Sequence, residues 1–219
     1  MEKYLEVLKK CPLFYDIADD DLLRMLTCLG AKVDFYDKKY TVFAEGKPVK
    51  YIGIVLSGSV QLVRMDYYGN RSIIGTAGRS EMFAESFACA KTGELPVSVI
   101  ASEPSEIMLI DSSHILTTCH NGCGFHHKLI YNLMKSLADK TNEFHAKLEI
   151  TSGRTTRERL MTYLMYMAKK TGSGSFDVPF DRQELADFLE VDRSGLSTEI
   201  GKMKKEGIIL NRKNHFELL

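Results

Sequence analysis

Long apolar runs are missing from this chain of 219 residues. A membrane-spanning helix needs about 20 apolar residues in a row, and no stretch here approaches that. The opening MEKYLEVLKKCPLF has lysines among isolated apolar residues, so it lacks the continuous apolar centre of a secretory signal. Both absences predict a cytosolic protein with no membrane partner. Cysteine is scarce and odd in number: Cys11, Cys28, Cys89, Cys119 and Cys123. An odd count in an unsecreted chain argues against a disulfide framework and leaves thiols, metal ligands or redox sensing open. An excess of one charge is missing as well, since 29 basic and 29 acidic side chains cancel. The cancellation hides a gradient. Residues 1–120 carry 13 Lys+Arg against 16 Asp+Glu, residues 121–150 carry 4 against 3, and residues 151–219 carry 12 against 10. That bias permits nucleic-acid binding near the C-terminus but is too small to decide it. An apolar fraction of 44% with 26% charge is enough for a packed core and excludes a mainly disordered chain. The length admits one large domain or two modest ones.

Periodicity divides the chain. Leu5, Leu8, Leu22, Leu23, Leu26 and Leu29 recur at helical spacing, with Asp19-Asp20-Asp21 as a start and Gly30 as a stop. From Ala31 to Ile110, short β-branched and aromatic runs alternate with turn residues, as in YTVFAEG, YIGIVLSGSVQLVRM and PVSVIASE. That pattern predicts an antiparallel barrel or sandwich of about six to eight strands. Gly69-Asn70 marks a hairpin tip, where a positive φ is needed. A long helix is expected from Phe125 to Glu149. Within it Ile130, Met134, Leu137, Thr141, Phe144 and Leu148 alternate four and three apart, a heptad-type seam beside a second stripe of Phe125, Leu129 and Leu133. One stripe can pack within the chain while the other faces a second copy of the helix. The expected segments are residues 1–120, an antiparallel barrel or sandwich behind short helices; residues 121–150, a dimerisation helix; and residues 151–219, a helical C-terminal domain.

In that last segment a helix is expected from Thr156 to Lys170, then the short strand SFDVPF. DRQELADFLEVDRSGLSTEIGKMKKEGIIL then reads as helix, tight turn, helix. Asp181 and Glu184 have the spacing of a capping box. Leu185 and Leu189 share a face of the first helix. Asp192 caps the second, whose apolar positions are Leu196, Ile200 and Met203. A turn of about three residues is the spacing of a DNA-binding helix-turn-helix, and GIILNRKNHFELL reads as two short strands, a wing. The second helix offers Arg193, Ser194, Ser197 and Thr198 near its start. Arg193 can donate two bonds to guanine, and the hydroxyls can meet bases or phosphates. Lys202, Lys204, Lys205, Arg212 and Lys213 are candidate backbone contacts, supplying affinity with little sequence information. Arg182 and Gln183, at the start of the first helix, complete the expected DNA-contact set.

These residues resemble the Crp/Fnr superfamily of bacterial transcription regulators, over nearly the whole chain. FDVPFDRQELADFLEVDRSGLSTEIGKMKKEGII is similar to the family's winged helix-turn-helix, with RQELADFL followed by VDRS the most specific part. VLSGSVQLVRMDYYGNRSIIGTAGRSEMFAES is similar to its N-terminal sensory β-roll. The resemblance implies an α+β chain: an N-terminal antiparallel β-roll (a double-stranded β-helix like that of cyclic-nucleotide-binding domains), a long dimerisation helix and a C-terminal winged helix-turn-helix. It implies a homodimer on an inverted-repeat operator in double-stranded DNA, with half-sites about one helical turn apart. RNA polymerase is a further partner if the protein activates.

Two departures shape that expectation. Regulators that bind cyclic AMP carry a Gly-Glu pair and, further on, an Arg-Ser pair. Here the matching stretches read Ala84-Glu85-Ser86 and Leu95-Pro96-Val97-Ser98. A buried cyclic phosphate without its arginine loses its main charge-assisted bonds, so an effector other than cyclic AMP is expected. Its site would involve Glu85, Ser86, Pro96, Ser98 and His145. In the recognition helix, Thr198 stands where many relatives have arginine. Thr198 cannot make a bidentate guanine contact, so the operator should differ there.

The stretch CHNGCGFHH, residues 119–127, is a separate candidate. Cys123 and His127 are four apart and can share a helical face toward a soft-ligand metal, and Cys119 and Cys123 can form a reversible redox pair. A redox- or metal-responsive regulator using Cys119, Cys123 and His127 is therefore the alternative reading. The ordinary reading of the same residues is half-buried thiols and capping histidines. Cys11 and Cys28 are too sparse for a four-cysteine iron–sulfur site. A cupin-like metal enzyme needs several inward histidines, and residues 31–110 contain none. No nucleophile elbow, P-loop or paired carboxylate points to another enzyme. An effector-binding module without DNA readout is the more distant alternative.

Overall fold

The computed structural model describes residues 1–90, 93–117 and 125–219. They form two compact units, one of Met1–Arg64 with Gly75–Lys140, the other of Met65–Ile74 with Thr141–Leu219.

The first unit opens with helices α1 (Leu5–Leu8) and α2 (Asp19–Cys28). The three aspartates of the first α2 turn lie at the positive end of its dipole, and Gly30 leaves the helix with φ 61°. Eight strands follow, as the alternating pattern predicts. They are β1 (Lys32–Tyr36), β2 (Thr41–Phe43), β3 (Tyr51–Ser57), β4 (Val60–Met65), β5 (Arg71–Ala77), β6 (Met82–Phe83), β7 (Ser98–Ala101) and β8 (Ser105–Asp111). Helix α3 (Glu85–Ala90) lies between β6 and β7, and α4 (Ser112–Leu116) follows β8. The sheet orders β1-β8-β3-β6 and β2-β7-β4-β5 interleave the strands, which is the winding of a double-stranded β-helix. Two glycines make the turns possible. Gly58, φ 80°, joins β3 to β4, and a Cβ there would lie 2.5 Å from the Pro104 carbonyl. Gly69, φ 82°, sits at the β4–β5 tip, where Asp66 accepts from the Tyr68 and Asn70 amides at 2.8 Å. The core of this unit joins Leu8, Phe14, Leu22 and Leu26 to Ile52, Ile54, Met108 and Ile110.

Helix α5 (His126–Ser152) starts in the first unit and ends in the second. It runs three residues past the expected end. Its two stripes separate only in part, because Leu137 of the seam is half-buried against the first unit's core and Ile130 is half-buried as well. Leu129 and Leu133 are buried in the first unit's core, where Asn132 donates to the Leu13 and Tyr15 carbonyls at 3.0 and 2.9 Å. Of the seam, Met134, Phe144 and Leu148 remain 64%, 40% and 66% exposed.

The second unit continues with α6 (Thr156–Thr171), β9 (Ser175–Asp177), α7 (Arg182–Leu189), α8 (Arg193–Lys205), β10 (Ile209–Arg212) and β11 (His215–Leu218). Thr155 and Glu158 form a capping box at α6 that the sequence reading did not single out, while the expected one at Asp181 and Glu184 is present at α7. Strands β10, β11 and β9 form a three-stranded sheet in that order. The core packs Leu160, Tyr163 and Leu164 of α6 on Leu185, Leu189, Leu196, Ile200 and Met203, with Ile73 from the 65–74 segment. Burying such side chains is worth about 1.5–3 kcal/mol each against leaving them exposed, which holds α7 and α8 against α6.

Candidate nucleic-acid interface

Three residues separate α7 from α8, and the first of them, Glu190, takes the left-handed conformation with φ 54°. That conformation is costly for a residue with a Cβ, and the surrounding cations hold it. Arg159 donates to the Leu189 and Glu190 carbonyls at 3.0 and 2.7 Å. Lys147 donates to the Phe188 carbonyl and sits 3.7 Å from the centre of the Phe188 ring. Two positive groups thus cover the carbonyls that end α7, where the helix dipole favours cations. Burial lowers the Lys147 amine to about 8, against the opposing pull of Glu190 and with the push of Arg159. Neither Lys147 nor Arg159 was singled out in the sequence, because their partners are contributed by residues some 30 to 41 positions away.

Asp192 then starts α8. Its carboxylate accepts from the Gly195 amide at 2.8 Å and from the Ser194 hydroxyl, and these bonds, the hydroxyl's first, hold its pKa below the usual range. Leu196, Ile200 and Met203 are buried. Opposite them, at four-, three- and four-residue spacing, run Ser194, Thr198, Gly201 and Lys205, with Arg193 and Ser197 beside that line. Arg193, Ser194, Ser197, Thr198 and Lys205 are exposed. The side chains of Arg193 and Lys205 make no hydrogen bond or ion pair with the described residues. Glu199 is the sole carboxylate of α8, and it is turned away into pairs with Arg157 at 3.5 Å and Lys202 at 3.6 Å.

The other expected contacts divide. Arg182 donates to Asn211 Oδ1 at 2.9 Å, and its Nη1 is buried with no hydrogen-bond partner among the described residues. Burial first, then Arg193, lowers its pKa, so two guanidiniums feel each other at the starts of α7 and α8. The structure commits the Gln183 amide to Asp187 at 2.8 Å and the Lys204 ammonium to the Asn211 carbonyl at 3.0 Å. Those two side chains brace the fold as they stand. Arg212 and Lys213 are exposed at the β10–β11 turn, where Lys213 has φ 56°.

The expected effector residues are less alike than the sequence suggests. Glu85 is 1% exposed, whereas Ser86 and Pro96 are exposed and Ser98 is half-buried, accepting from the Glu45 amide at 3.2 Å. His145 is exposed and belongs to the second unit. Leu95, in the stretch that replaces the arginine pair, points inward at 1% exposure. Ala84 has φ 62°, the conformation for which glycine is suited. The cation near Glu85 comes from an unexpected place: Lys140 of α5 lies 2.6 Å from Glu85 Oε1 and donates to the Met82 carbonyl at 2.5 Å. Directed at that carbonyl, the ammonium supplies Glu85 with charge but leaves Oε1 without an aligned hydrogen bond. Fifty-five positions separate the pair, and no local pattern announces it.

Cys119 and Cys123 lie outside the described residues. His127 is exposed on the first turn of α5, and His126 beside it is buried, its Nε2 donating to the Ile115 carbonyl at 2.9 Å. Burial raises the Cys11 thiol to about 12 and, with Glu85, raises Cys89. Both shifts disfavour the thiolate, the form that attacks or binds a metal.

A helix-turn-helix with its second helix capped, exposed and basic and with a three-stranded wing, in a chain that also carries a double-stranded β-helix, defines a DNA-binding regulator. The comparisons agree. Residues 33–121 match the family described as "Cyclic nucleotide-binding domain", and residues 158–219 match "Crp-like helix-turn-helix domain". Over 196 residues the chain is 21% identical to the transcriptional activator protein FnrL of Cereibacter sphaeroides, covering 82% of this chain and 73% of that one. The fold is similar to the c-di-GMP responsive global regulator CLP of Xanthomonas campestris, with a TM-score of 0.72, 17% identity and coverage of 90% and 98%. It is also similar to FixK2 of Bradyrhizobium japonicum, with a TM-score of 0.67, 18% identity and coverage of 86% and 92%. The chain belongs to the Crp/Fnr family of transcription regulators, which are DNA-binding proteins and not enzymes. Among the described residues no helix is long and apolar enough to cross a membrane.

Proposed function

We propose that the chain acts in the cytoplasm as a homodimer on an inverted-repeat operator, under the control of an effector other than cyclic AMP. The carrying observation is α8, with Arg193, Ser194, Ser197, Thr198 and Lys205 exposed opposite its buried apolar face. Arg182, Lys202 and Arg212 supply phosphate contacts around it. The dimer joins along Ile130, Met134, Leu137, Thr141, Phe144 and Leu148, and the exposure of Met134, Phe144 and Leu148 in one chain supports this. On this reading residues 1–120 sense, 121–150 pair and 151–219 read DNA, with RNA polymerase as partner where the protein activates.

The absence of cyclic AMP as effector is supported at two points. Leu95 and Pro96 offer a cyclic phosphate no cation, and Glu85 already has Lys140 beside it. The effector is then recognised around Glu85, Ser86, Pro96 and Ser98, and it acts by its difference in affinity for two arrangements of the dimer. The test is selection of genomic fragments by the full-length protein at moderate salt with competitor DNA, for the wild type and for Leu148→Asp. An inverted repeat enriched by the wild type and lost in a monomeric variant is expected. A single half-site enriched equally by both would overturn the dimer reading.

A further inference from the structure

Two of the three α8 hydroxyls already donate to acceptors within the chain. Ser194 Oγ donates to the Asp192 carboxylate, and Thr198 Oγ1 donates to the Ser194 carbonyl at 3.0 Å. Neither acceptor can donate in return, because a carboxylate held ionised and a carbonyl have no proton to give. A hydroxyl has one proton and two lone pairs, so each of these side chains meets a ligand as an acceptor only. Both lie on the exposed line of α8, one turn apart. The carboxylate that would ordinarily serve as acceptor on such a helix, Glu199, is held by Arg157 and Lys202 and is 14% exposed.

We propose that Ser194 and Thr198 determine operator specificity by accepting hydrogen bonds from the exocyclic amino groups of adenine or cytosine, while Arg193 supplies the donor for guanine. In the major groove those amino groups are the only base-edge donors, whereas guanine and thymine oxygens would face a lone pair and be repelled. The first two turns of α8 thus present a donor at one position and acceptors at two others. This rests on the reading that α8 enters the major groove of an operator.

The experiment uses the full-length protein and the operator it selects. Each adenine of the half-site is replaced singly by purine, and each cytosine by pyrimidin-2-one, which removes the amino group alone. Affinities are measured for the wild type and for Ser194→Ala, Thr198→Val and Thr198→Ser. At one position the wild type should lose about 10-fold on removal of the amino group. Thr198→Val, which keeps the shape and lacks the oxygen, should show no further loss there, and Thr198→Ser should behave as the wild type. Ser194→Ala should abolish the dependence at a second position. If no amino-group deletion couples to either side chain although an operator is bound, the assignment is wrong and the DNA reading stands. If 7-deazaguanine couples to Thr198→Val instead, the hydroxyl acts as a donor and the assignment is likewise wrong. If the wild type selects no sequence, the reading beneath the proposal fails, and the proposal fails with it.

Discussion

The two units handle their functional charge in opposite ways. In the first, the Glu85 carboxylate is almost wholly removed from solvent and is met by a cation from its own chain, Lys140. In the second, Arg193 and Lys205 stand in water with no counter-charge among the described residues, while Glu199, the one carboxylate of α8, is tied back by Arg157 and Lys202. A buried charge must be paired within the molecule, because its desolvation is too costly to leave unmatched. An exposed cation costs little alone, and it can await a phosphate or a base edge whose binding releases counterions. The contrast is between a carboxylate met by a cation within the fold and cations left open to solvent.

The sharpest break of this contrast is Lys140→Met. It leaves Glu85 buried without a cation and should cost about 3 kcal/mol, the low end for a broken buried pair because Lys140 is itself 30% exposed. The double variant with Glu85→Gln should recover most of that loss in equilibrium urea unfolding. A single variant as stable as the wild type would show that the pair contributes nothing to folding. On the exposed side, Arg193→Ala should leave stability unchanged and cost about 1–3 kcal/mol of specific operator binding. At fixed salt, an unaltered specific affinity would remove Arg193 from the base-reading set.

Lys147 sharpens the comparison within the second unit, since it is a buried cation with no carboxylate in direct contact among the described residues. Below about pH 8 the amine is charged in both the folded and the unfolded chain. Between about 8 and the ordinary value of 10.5 only the unfolded chain keeps its proton, so stability should rise with pH across that window. Lys147→Met should lack that rise, as unfolding midpoints compared at about pH 7.5 and about pH 9.5 would reveal. The smallest effect is expected at Gly201. A Cβ there meets nothing within 4 Å, so Gly201→Ala should stabilise the free protein by about 0.5–1 kcal/mol. Because Gly201 lies on the reading line of α8, the same methyl should weaken operator binding. Stability and affinity that rise together would place Gly201 off the interface.

Much of the second unit was legible because its signals are local. The Asp181–Glu184 box, the Asp192 cap and the spacing of Leu196, Ile200 and Met203 all lie within a few residues of one another. The division of the long helix was legible only in part, since Leu129 and Leu133 are buried and Met134, Phe144 and Leu148 exposed, but Leu137 of the seam packs on the core. The effector region was read less well. Glu85, Ser86, Pro96, Ser98 and His145 were grouped by resemblance, yet they range from buried to fully exposed, and the closest charged partner of Glu85 was not among them. Gln183 and Lys204 were read as DNA contacts from their charge or polarity alone. Whether such a side chain faces outward or toward Asp187 and Asn211 depends on what packs beside it.

The sequence by itself determined the elements and their order, since helix periodicity, caps and turn glycines act between near neighbours, and it determined that a helix capped by Asp192 begins at Arg193. Tertiary structure alone decided three things. It supplied Lys140 as the partner of Glu85, it placed Lys147 and Arg159 on the end of α7, and it brought Arg157 from α6 to hold Glu199 away from the exposed line. Each is a charge meeting a carboxylate or a backbone carbonyl across tens of residues. Pairing at that range is set by how the cores bring distant segments together, and no short-range pattern in the chain records it.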